Sequence, residues 1–481
     1  MAFTDRLHNR GSISTGYDID NSLKFERDNN EAVETTNQAA GNRKTWTFSA
    51  WIKRTALSED YHTIFCAGYT NIQIMSNNRP RLILYNGSSE VYADPEMLMR
   101  DTSAWYHIVV QVDSTQSTAS DRVKWWINGD RITDFNNSSY TTMSQNEEFE
   151  IGQAGSTGSG AWLRLGRFFS GGEGFDGYMA DVYYLNGTAE DADAFGEYDS
   201  DSGIWIPKAY TGSGYGTQGF HYKFDNSSNL GEDSSGEGHD ASSFSNITSA
   251  DQATDTPTNN FATWQALTGQ PYPVIRNGAT HYNLSGQVGW YSNVGSIAFT
   301  KGKWYAEFRL GSGITNMMAG VSQVESEQSW NNTHLGGVAN STAYTMGFYN
   351  ANGNVYTDNG STAWDSSFPA GTIIMVAVDY KTSGVVSLYF GTNGTWANSS
   401  NPETGANNFD MNSGSPLPNN LAISFAASPY NNGGNAEANF GGFSGFSIAS
   451  GNSDANGYGT FEYAPPSGYY ALCTKNLAEY G

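Results

Sequence analysis

The chain has 481 residues, of which 55 are glycine and only 15% are charged, and a length of this order suits roughly two to four domains. Long helices need many Ala, Leu, Glu, Lys and Arg residues, so this composition favours short strands joined by turns. The formal net charge of -24 argues against nucleic-acid binding through a basic patch.

Residues 1–20 are polar and show no periodicity. This predicts an N-terminal arm, which is either a frayed terminus or a segment that orders against a partner subunit. Residues 1–10 have no apolar core for a signal peptide, and the longest strongly apolar run, residues 373–378, is far too short to span a bilayer. We therefore expect a chain that is made in a cytoplasm and does not insert into a membrane.

Strand signals recur from residue 21 to residue 224. Residues 81–85 end at Asn86-Gly87, which is a strong hairpin turn signal. Residues 46–52 alternate between apolar and other side chains, and one face carries Trp46, Phe48, Ala50 and Ile52. These signals predict an antiparallel β-sandwich domain.

One hairpin pattern occurs twice in the chain. Each copy is an apolar strand that ends in Asp, a polar turn, and a second strand that ends in or near Asn-Gly; the copies occupy residues 105–129 and 372–394. β-Branched and aromatic residues dominate both copies, as is typical of a pleated, half-buried surface. The repeat predicts two β-sandwiches of related design, and the scarcity of charged residues predicts that each hairpin lies in the centre of its sheet.

The second half of the chain begins with a polar stretch. Ser, Asn, Gly, Asp and Thr dominate residues 225–270, which predicts a linker, and strand signals return over residues 271–481, which predicts the second sandwich. Near the end, residues 464–473 carry apolar groups on both sides, so we expect this segment to dock onto the second sandwich. Cys66 and Cys473 are too few for a disulfide framework and are expected to be buried free thiols.

The stretches described above resemble two known families. Residues 40–224 resemble a laminin-G-like or concanavalin-A-like lectin domain, on the motifs NRKTWTFSAWIKR, WYHIVVQVDSTQ, VKWWINGDRIT and FDGYMADVYYLNGT. Residues 270–481 resemble a SPRY domain, on the motifs GKWYAEFRL, MAGVS, GTIIMVAVDYKTSGVVSLYFGTNGTW, LAISFAAS, AEANFGG and YAPPSGYYALCTKNL. The resemblance implies an all-β chain with two lectin-like antiparallel β-sandwiches of jelly-roll type in tandem.

The tandem, together with the connecting motif DTPTNNFATW, resembles a class of virion proteins from tailed bacteriophages of marine bacteria, including cyanophages. This resemblance implies a structural protein of the virion, assembled in the host cytoplasm beside other virion proteins and most simply a homotrimer. The leading function is a fibre or adhesin-like appendage that binds a glycan or protein on the host surface. Two alternatives stay open: a capsid or tail decoration protein that cements its neighbours, and a glycan depolymerase.

Glycan recognition by loops needs aromatic faces together with Asn, Asp and Gly groups. The second domain offers such residues at loop positions, although each aromatic side chain could equally cap an edge of the core. The candidate ligand-binding residues are Trp330, Asn331, Tyr349, Trp364, Asp365, Trp396 and Tyr430.

No catalytic site is expected. Glycoside hydrolysis needs two carboxylates that flank the scissile bond, and the nearest acidic run, residues 147–150, has the wrong spacing. His107 lies inside a strand and is interpreted as structural. Calcium is the one cofactor considered: Asp225, Asp233 and Asp240 could supply its oxygen ligands, and the alternative is a solvated acidic loop.

Overall fold

The computed structural model describes residues 16–36, 39–57, 60–154, 162–266, 273–284, 286, 288–311, 313, 315–324, 333–340, 343–430 and 435–481. The chain divides into two compact units, whose described parts are residues 16–258 and 259–481. Both units are built from predominantly antiparallel sheets, so the predicted all-β fold with two tandem sandwiches is confirmed. None of the described helices is long and apolar enough to cross a membrane.

The described strands of the first domain follow one another in chain order. They are β1 (Ser22–Phe25), β2 (Ala32–Thr36), β3 (Thr45–Arg54), β4 (His62–Ala67), β5 (Thr70–Ile74), β6 (Pro80–Tyr85), β7 (Glu90–Pro95), β8 (Tyr106–Asp113), β9 (Val123–Ile127), β10 (Asp130–Ile132), β11 (Phe135–Asn137), β12 (Trp162–Leu165), β13 (Gly177–Asn186), β14 (Gly196–Tyr198), β15 (Trp205–Pro207), β16 (Phe220–Tyr222), β17 (Ser243–Ser245) and β18 (Gln252–Ala253). Single-turn 3-10 helices occur at Arg27–Asn29, Ala119–Asp121, Ser139–Thr142, Ala192–Ala194 and Ser249–Asp251.

These strands form two facing sheets. The first sheet has the order β10-β9-β8-β3-β13-β1-β18, with β16 also paired to β13, and the second has the order β11-β7-β6-β5-β4-β12-β2-β17. The core between them contains Trp46, Phe48, Ala50 and Ile52, as the alternation of residues 46–52 predicts. The predicted turn at Asn86-Gly87 is also confirmed, because it joins β6 to β7 in register.

The outward face of the first sheet is covered as well. A second small cluster lies on it, formed by Val109, Trp126, Tyr183, Leu185, Ala192, Phe195 and Tyr215. Much of this cover comes from residues 188–216, which include the separate hairpin β14-β15. Sheet strands that are covered on both faces are apolar or aromatic on both faces, which explains why Trp125 and Trp126 are adjacent and both buried.

The polar stretch predicted to be a linker is divided between the two domains. Residues 225–258 belong to the first unit, where β17 pairs with β2 and β18 pairs with β1. Residues 259–266 belong to the second unit, where Trp264 is fully buried. The boundary at 225 is therefore corrected to Thr258/Asn259. Composition was misleading because several polar side chains at the end of this stretch, such as Asp251 and Asp255, are buried partners of Lys24 and Lys53.

The described part of the predicted arm is packed against the first domain. The Tyr17 hydroxyl donates a hydrogen bond to Asp181 over 2.9 Å, and Ile19 is buried. The backbone of Ile19 is bonded on both sides to the hydroxyl of Thr258, at 3.2 and 2.8 Å. The arm that residues 1–20 were predicted to form is thus ordered over residues 17–19, and residues 1–15 lie outside the described part.

The second domain contains the remaining described elements. They are β19 (Pro273–Arg276), β20 (His281–Leu284), β21 (Asn293–Val294), β22 (Gly302–Leu310), β23 (Met317–Gln323), β24 (Thr345–Tyr349), β25 (Asn354–Thr357), β26 (Gly360–Ala363), β27 (Ile373–Tyr380), β28 (Val386–Thr392), β29 (Thr395–Trp396), β30 (Phe409–Asp410), β31 (Ile423–Pro429), β32 (Asn435–Asn439), β33 (Tyr470–Ala471) and the helix α1 (Thr474–Tyr480). Single-turn 3-10 helices occur at Ala397–Ser399, Met411–Gly414 and Pro418–Asn420.

The two sandwiches share a strand order around the repeated hairpin. One sheet of the second domain runs β19-β20-β32-β22-β27-β28-β29, and the other runs β21-β31-β23-β24-β25-β26. The segment β29-β28-β27-β22 corresponds to β10-β9-β8-β3 of the first domain. In both, the strand beyond β22 or β3 comes from much later in the chain. The sequence repeat therefore reflects one architecture used twice.

The sequence predicted that the repeated hairpins lie in the centre of their sheets, and this prediction is wrong. Each hairpin lies one strand from the edge of its sheet. At Asn128-Gly129 and at Asn393-Gly394 both residues have positive φ, 49° and 80° in the first turn and 46° and 84° in the second. Positive φ at both central residues defines a type I′ turn. The chain therefore folds straight back at each Asn-Gly and adds a short edge strand, β10 or β29.

The C-terminal segment docks onto the second sandwich, as predicted. β33 pairs in parallel with β22, with Tyr470 opposite Trp304. Leu472 enters the central core, whereas Tyr469, Ala471 and Cys473 face a separate cluster on the other side. Cys66 and Cys473 are both buried free thiols, which confirms that prediction.

Val376→Asp should prevent the second domain from folding stably. Val376 is fully buried in β27, between Ala306 of β22 and Phe390 of β28. An unpaired buried carboxylate costs about several kcal/mol. We expect most of the variant in the insoluble fraction, and Thr362→Asp in the exposed strand β26 to be as soluble as the parent. A soluble Val376→Asp chain with an unchanged urea unfolding curve would contradict the assigned core.

Cys473 should react slowly with a thiol reagent in the native protein. It is fully buried, and burial raises the pKa of its thiol to about 12. We expect both cysteines to be labelled only after denaturant is added.

Deletion of residues 464–481 should destabilise the second domain by several kcal/mol, since each large buried side chain contributes about 1.5 to 3 kcal/mol. Rapid native labelling, or a truncated chain that melts like the parent, would contradict the docking.

Candidate functional site

Five aromatic side chains of the second domain form one surface cluster, which we call the aromatic cluster: Trp290, His334, Tyr349, Tyr356 and Tyr430. The Trp290 ring is at the middle, with centroids 5.0 Å from Tyr430, 5.4 Å from His334 and 5.5 Å from Tyr349. Tyr356 completes the group, 5.3 Å from His334 and 5.8 Å from Tyr349. All five side chains are partly exposed.

Strand alternation explains why the aromatic cluster forms on the outer face of the six-stranded sheet. Phe348 and Val355 point into the core, so the following residues, Tyr349 and Tyr356, point outward. The rings lie on a small outward-facing cluster, which consists of Val294, Met318, Leu335 and Ala426. The loop that carries Leu335 comes close to the sheet because Gly347 has no side chain: a Cβ there would lie 2.6 Å from Cβ of Leu335.

The chemistry of the aromatic cluster suits binding rather than proton transfer. Burial raises the pKa of Tyr349, and the nearby hydroxyls of Tyr356 and Tyr430 act in the same direction, so its phenol stays protonated and can donate a hydrogen bond. Asn352 donates to the Tyr356 hydroxyl over 3.0 Å and lies exposed beside it. Flat ring faces flanked by hydroxyl and amide groups match a flat ligand with both apolar and polar edges.

Of the predicted binding residues that the structure describes, it brings together Tyr349 and Tyr430. Trp364 packs edge-to-face on Phe409, 5.3 Å away, at the margin of the core. Trp396 packs against a different buried cluster, which includes Tyr305, Tyr389 and Tyr469. Both tryptophans therefore cap edges of the core, which was the alternative interpretation.

Three predicted binding residues remain: Asp365, Trp330 and Asn331. Asp365 is exposed, and its carboxylate accepts a hydrogen bond from the N–H of Ser366 over 2.7 Å, as in a turn. Trp330 and Asn331 lie outside the described residues.

Sequence reasoning missed Trp290, His334 and Tyr356. Tyr356 had a signal, because Val355 and Tyr356 alternate between the two faces of a strand. Trp290 and His334 lie in segments without regular structure, and only the tertiary fold places them beside Tyr349 and Tyr430.

The three carboxylates considered for calcium lie in one acidic loop but do not share a metal position. Asp233 accepts hydrogen bonds from the N–H groups of His221, Ser235 and His239, each at 2.9 Å, and from the Ser235 hydroxyl at 2.7 Å. Asp240 accepts from the N–H of Asp233 at 2.8 Å, and Asp225 is exposed. Among the described residues, no group of three His, Cys, Asp or Glu side chains is placed to hold a metal. The calcium site stays a prediction.

His107 has a structural role, as interpreted from the sequence. Its ring is stacked 4.7 Å from Trp51 and 6.0 Å from Trp205. The indole N–H of Trp205 donates to Nδ1 over 3.0 Å, so Nε2 carries the proton and faces the Ser49 hydroxyl at 2.9 Å. Burial lowers the pKa of His107 to about 3, which keeps the ring neutral.

The acidic run at residues 147–150 also has structural partners. Glu148 forms an ion pair with Arg43 at 2.9 Å, and Glu150 accepts the N–H of Tyr69 at 2.9 Å. Glu147 accepts the N–H of Ser144 at 2.7 Å. These carboxylates hold loops together.

A family model matches part of the chain. It is Laminin_G_3, described as the concanavalin A-like lectin/glucanases superfamily, and it covers residues 27–194, all within the first domain. Together with the two-sheet architecture, the match assigns a lectin-like β-sandwich fold to the first domain, and the chain as a whole is a tandem of two such sandwiches. A search of curated protein sequences returns no match.

Solved structures that match parts of this chain include a SPRY domain, a putative carbohydrate binding protein and a pentraxin. A human SPRY domain has 14% identity and a TM-score of 0.25, covering 35% of this chain and 94% of that one. A putative carbohydrate binding protein from Bacteroides ovatus has 14% identity and a TM-score of 0.34, covering 47% and 59%. A heptameric SAP-like pentraxin from Limulus polyphemus has 18% identity and a TM-score of 0.24, covering 35% and 77%. At this level of similarity they say nothing about function.

Asp233→Asn should destabilise the first domain by about 1–3 kcal/mol at pH 7, because the amide cannot accept four hydrogen bonds. Burial opposes the charge of Asp233, but its donors outweigh burial and hold its pKa below the ordinary value. A lowered pKa means that the stabilisation is complete above the ordinary pKa and is lost as the pH falls through the lower, folded-state value. The difference between variant and parent should therefore shrink below about pH 4.

Urea unfolding of both proteins at neutral and acidic pH measures this effect. Asp225→Asn, which removes an exposed carboxylate from the same loop, is the matched control and should unfold like the parent. Equal stabilities of Asp233→Asn and parent at pH 7 would contradict the bracing role. Added CaCl₂ that raises the midpoint of the parent but not of Asp233→Asn would support the calcium site.

Proposed function

We propose that this chain is a non-enzymatic structural protein of a bacteriophage virion, a fibre or adhesin-like appendage that binds a glycan or protein on the host surface. The lectin-like class of the fold supports a binding role. The resemblance of both domains and of the connecting motif to virion proteins of marine phages supports the location in the particle, with assembly in the host cytoplasm beside other virion proteins.

The aromatic cluster is the single observation that carries the binding role. Five ring systems converge on one outer face of the second domain, and none of them is needed to fill the central core. Partly exposed aromatic groups in such density are typical of interaction surfaces. Sugar rings present flat C–H faces and hydroxyl edges, and the cluster offers ring faces beside phenol hydroxyls and the amide of Asn352.

Several copies on one particle would add to the strength of binding. Linked copies turn later binding events into intramolecular ones, so modest single-site affinities become a strong overall attachment. We propose a symmetric homotrimer, since closed symmetry is the usual arrangement of soluble homo-oligomers, with the N-terminal arm helping to attach it. A monomer by light scattering, both free and released from particles, would contradict this assembly.

The double variant Tyr349→Ala/Tyr430→Ala tests the binding role. Truncation of aromatic contact residues at the centre of an interface typically costs about 2 kcal/mol or more, so we expect binding to a glycan array and to host cells to weaken by more than about tenfold. Tyr61→Ala, which removes an exposed tyrosine from the first domain, is the matched control and should bind like the parent.

Other outcomes separate the alternatives. Unchanged binding of a folded double variant would contradict the role of the aromatic cluster. Particles that lack the protein, still attach to cells and lose heat stability would favour a decoration protein that cements its neighbours. Release of reducing sugars from host glycans by the purified chain would favour a depolymerase.

A further inference from the structure

A cleft in the first domain is unrelated to the aromatic cluster of the second. We call it the tryptophan cleft, and it lies where the β9-β10 turn meets the β14-β15 hairpin. Its volume is about 380 Å³, and its lining includes Trp126, Gly129, Glu197, Tyr198, Trp205 and Lys208. Small-molecule sites typically fall between about 300 and 1,000 Å³, so the space suits one or two small rings.

The central ring of the tryptophan cleft is held in place before any ligand arrives. Trp205 donates its indole N–H to His107 over 3.0 Å. Two glycines make room for the indole: a Cβ at Gly129 would lie 2.3 Å from the ring, and one at Gly196 would lie 2.4 Å from it. Tyr198 packs edge-to-face on Trp205 at 4.9 Å and is still 51% exposed. Such a preset surface lowers the entropic cost of binding.

The charges around the tryptophan cleft are mostly negative. Asp191, Asp193 and Glu197 line it and are exposed. Two cations lie at the cleft: Lys208 in its lining, and Arg131, whose guanidinium lies 5.0 Å from the ring centroid of Trp126. Lys208 is directed to the protein itself, because its amine donates to the backbone carbonyl of Asp193 over 3.0 Å. A ligand therefore meets aromatic surface and carboxylates together. Both attract a cation, through the ring quadrupole and through charge.

The negative surface continues into a neighbouring cleft of about 570 Å³. This second space shares Asp191 and Asp193 with the first and adds Asp113, Asp121 and Glu190. Its cationic lining residue is Lys124, which lies 3.7 Å from the carboxylate of Asp191. The two clefts adjoin at Asp191 and Asp193, one lined by aromatic rings and the other by carboxylates.

We propose that the tryptophan cleft binds a glycan that carries free, protonated amino groups, that is, a polymer of non-acetylated amino sugars. One sugar ring stacks on the exposed parts of Trp205 and Tyr198, and its ammonium group lies against Asp193 and Glu197. The next unit extends into the acidic cleft. Anionic glycans are repelled by the same carboxylates, and a neutral sugar gains nothing from them beyond ordinary hydrogen bonds. The proposal does not depend on the aromatic cluster of the second domain.

The test compares two ligands that differ only in the charged group. The glucosamine tetrasaccharide carries four amines, and the N-acetylglucosamine tetrasaccharide has the same rings without the charge. Calorimetry with the full-length protein at about pH 6, where an aliphatic amine is protonated, should show at least about tenfold tighter binding of the amine form. Equal binding of both ligands, or no binding of either, would overturn the proposal.

Variants locate the site. Tyr198→Ala should weaken binding of the glucosamine tetrasaccharide several-fold, and Asp193→Asn/Glu197→Gln should weaken it by about tenfold. The matched control is Asp201→Asn/Glu237→Gln, which removes two exposed carboxylates outside the lining and should bind like the parent. Gly196→Ala, which displaces the Trp205 ring, should act like Tyr198→Ala. Equal losses in the control and in the cleft variant would mean non-specific attraction to a polyanion and would overturn the proposal.

A last comparison separates this site from the proposed function. Tyr349→Ala/Tyr430→Ala protein should bind the glucosamine tetrasaccharide as the parent does. Loss of binding in that variant would place the amino-sugar site in the second domain and overturn the assignment to the tryptophan cleft. Oligolysine that competes as well as the tetrasaccharide would show that charge alone is recognised, and would likewise overturn it.

Discussion

The first domain depends on a lysine buried on the outward face of its first sheet. Lys53 of β3 lies 2.7 Å from the carboxylate of Asp255, and neither side chain is more than 1% exposed. Trp105 donates its indole N–H to the same carboxylate over 3.1 Å. A buried charge without its partner costs about several kcal/mol, so β3 is stable only when the segment around Asp255 covers it. Lys24 of β1 repeats the arrangement with Glu31 and Asp251.

The pairing of Lys53 and Lys24 with carboxylates far away in the chain explains why some parts of the fold could be predicted from the sequence and others could not. The repeated hairpins, the alternation of residues 46–52 and the docking of residues 464–473 are local patterns, and each was predicted correctly in type. The polar stretch after residue 225 was predicted as a linker because its composition is polar. Its true role depends on Lys24 and Lys53, which lie some two hundred residues away, and no local pattern connects them.

The candidate site shows the same limit. Tyr349 and Tyr430 were found because aromatic and amide residues coincide at loop positions, but the same pattern occurs at Trp364 and Trp396, which cap the core. The difference between the two pairs lies in what covers each residue, and that is set by strands distant in the chain. Trp205 was missed for a related reason: its neighbours Gly129 and His107 belong to another hairpin.

The covered faces also determine where binding surfaces remain. In the second domain the outward face of β22, β27 and β28 is covered by Phe261, Phe461 and Tyr469, and the outer face of the other sheet carries the aromatic cluster. The cover is held by a carboxylate on the strand: Glu307 accepts the N–H groups of Glu462 and Tyr463 at 2.9 and 2.7 Å.

Glu307 differs from Asp255 in having no cation among these partners. Burial raises the pKa of Glu307 to about 7, although four hydrogen-bond donors favour its charged form. A raised pKa means that the contribution of this group to stability is complete below the ordinary carboxyl pKa and is lost as the pH rises through about 7. The covering segment of the second domain is therefore held by a pH-sensitive contact. In the first domain the segment around Asp255 also covers a sheet, but there the carboxylate is paired with the charge of Lys53.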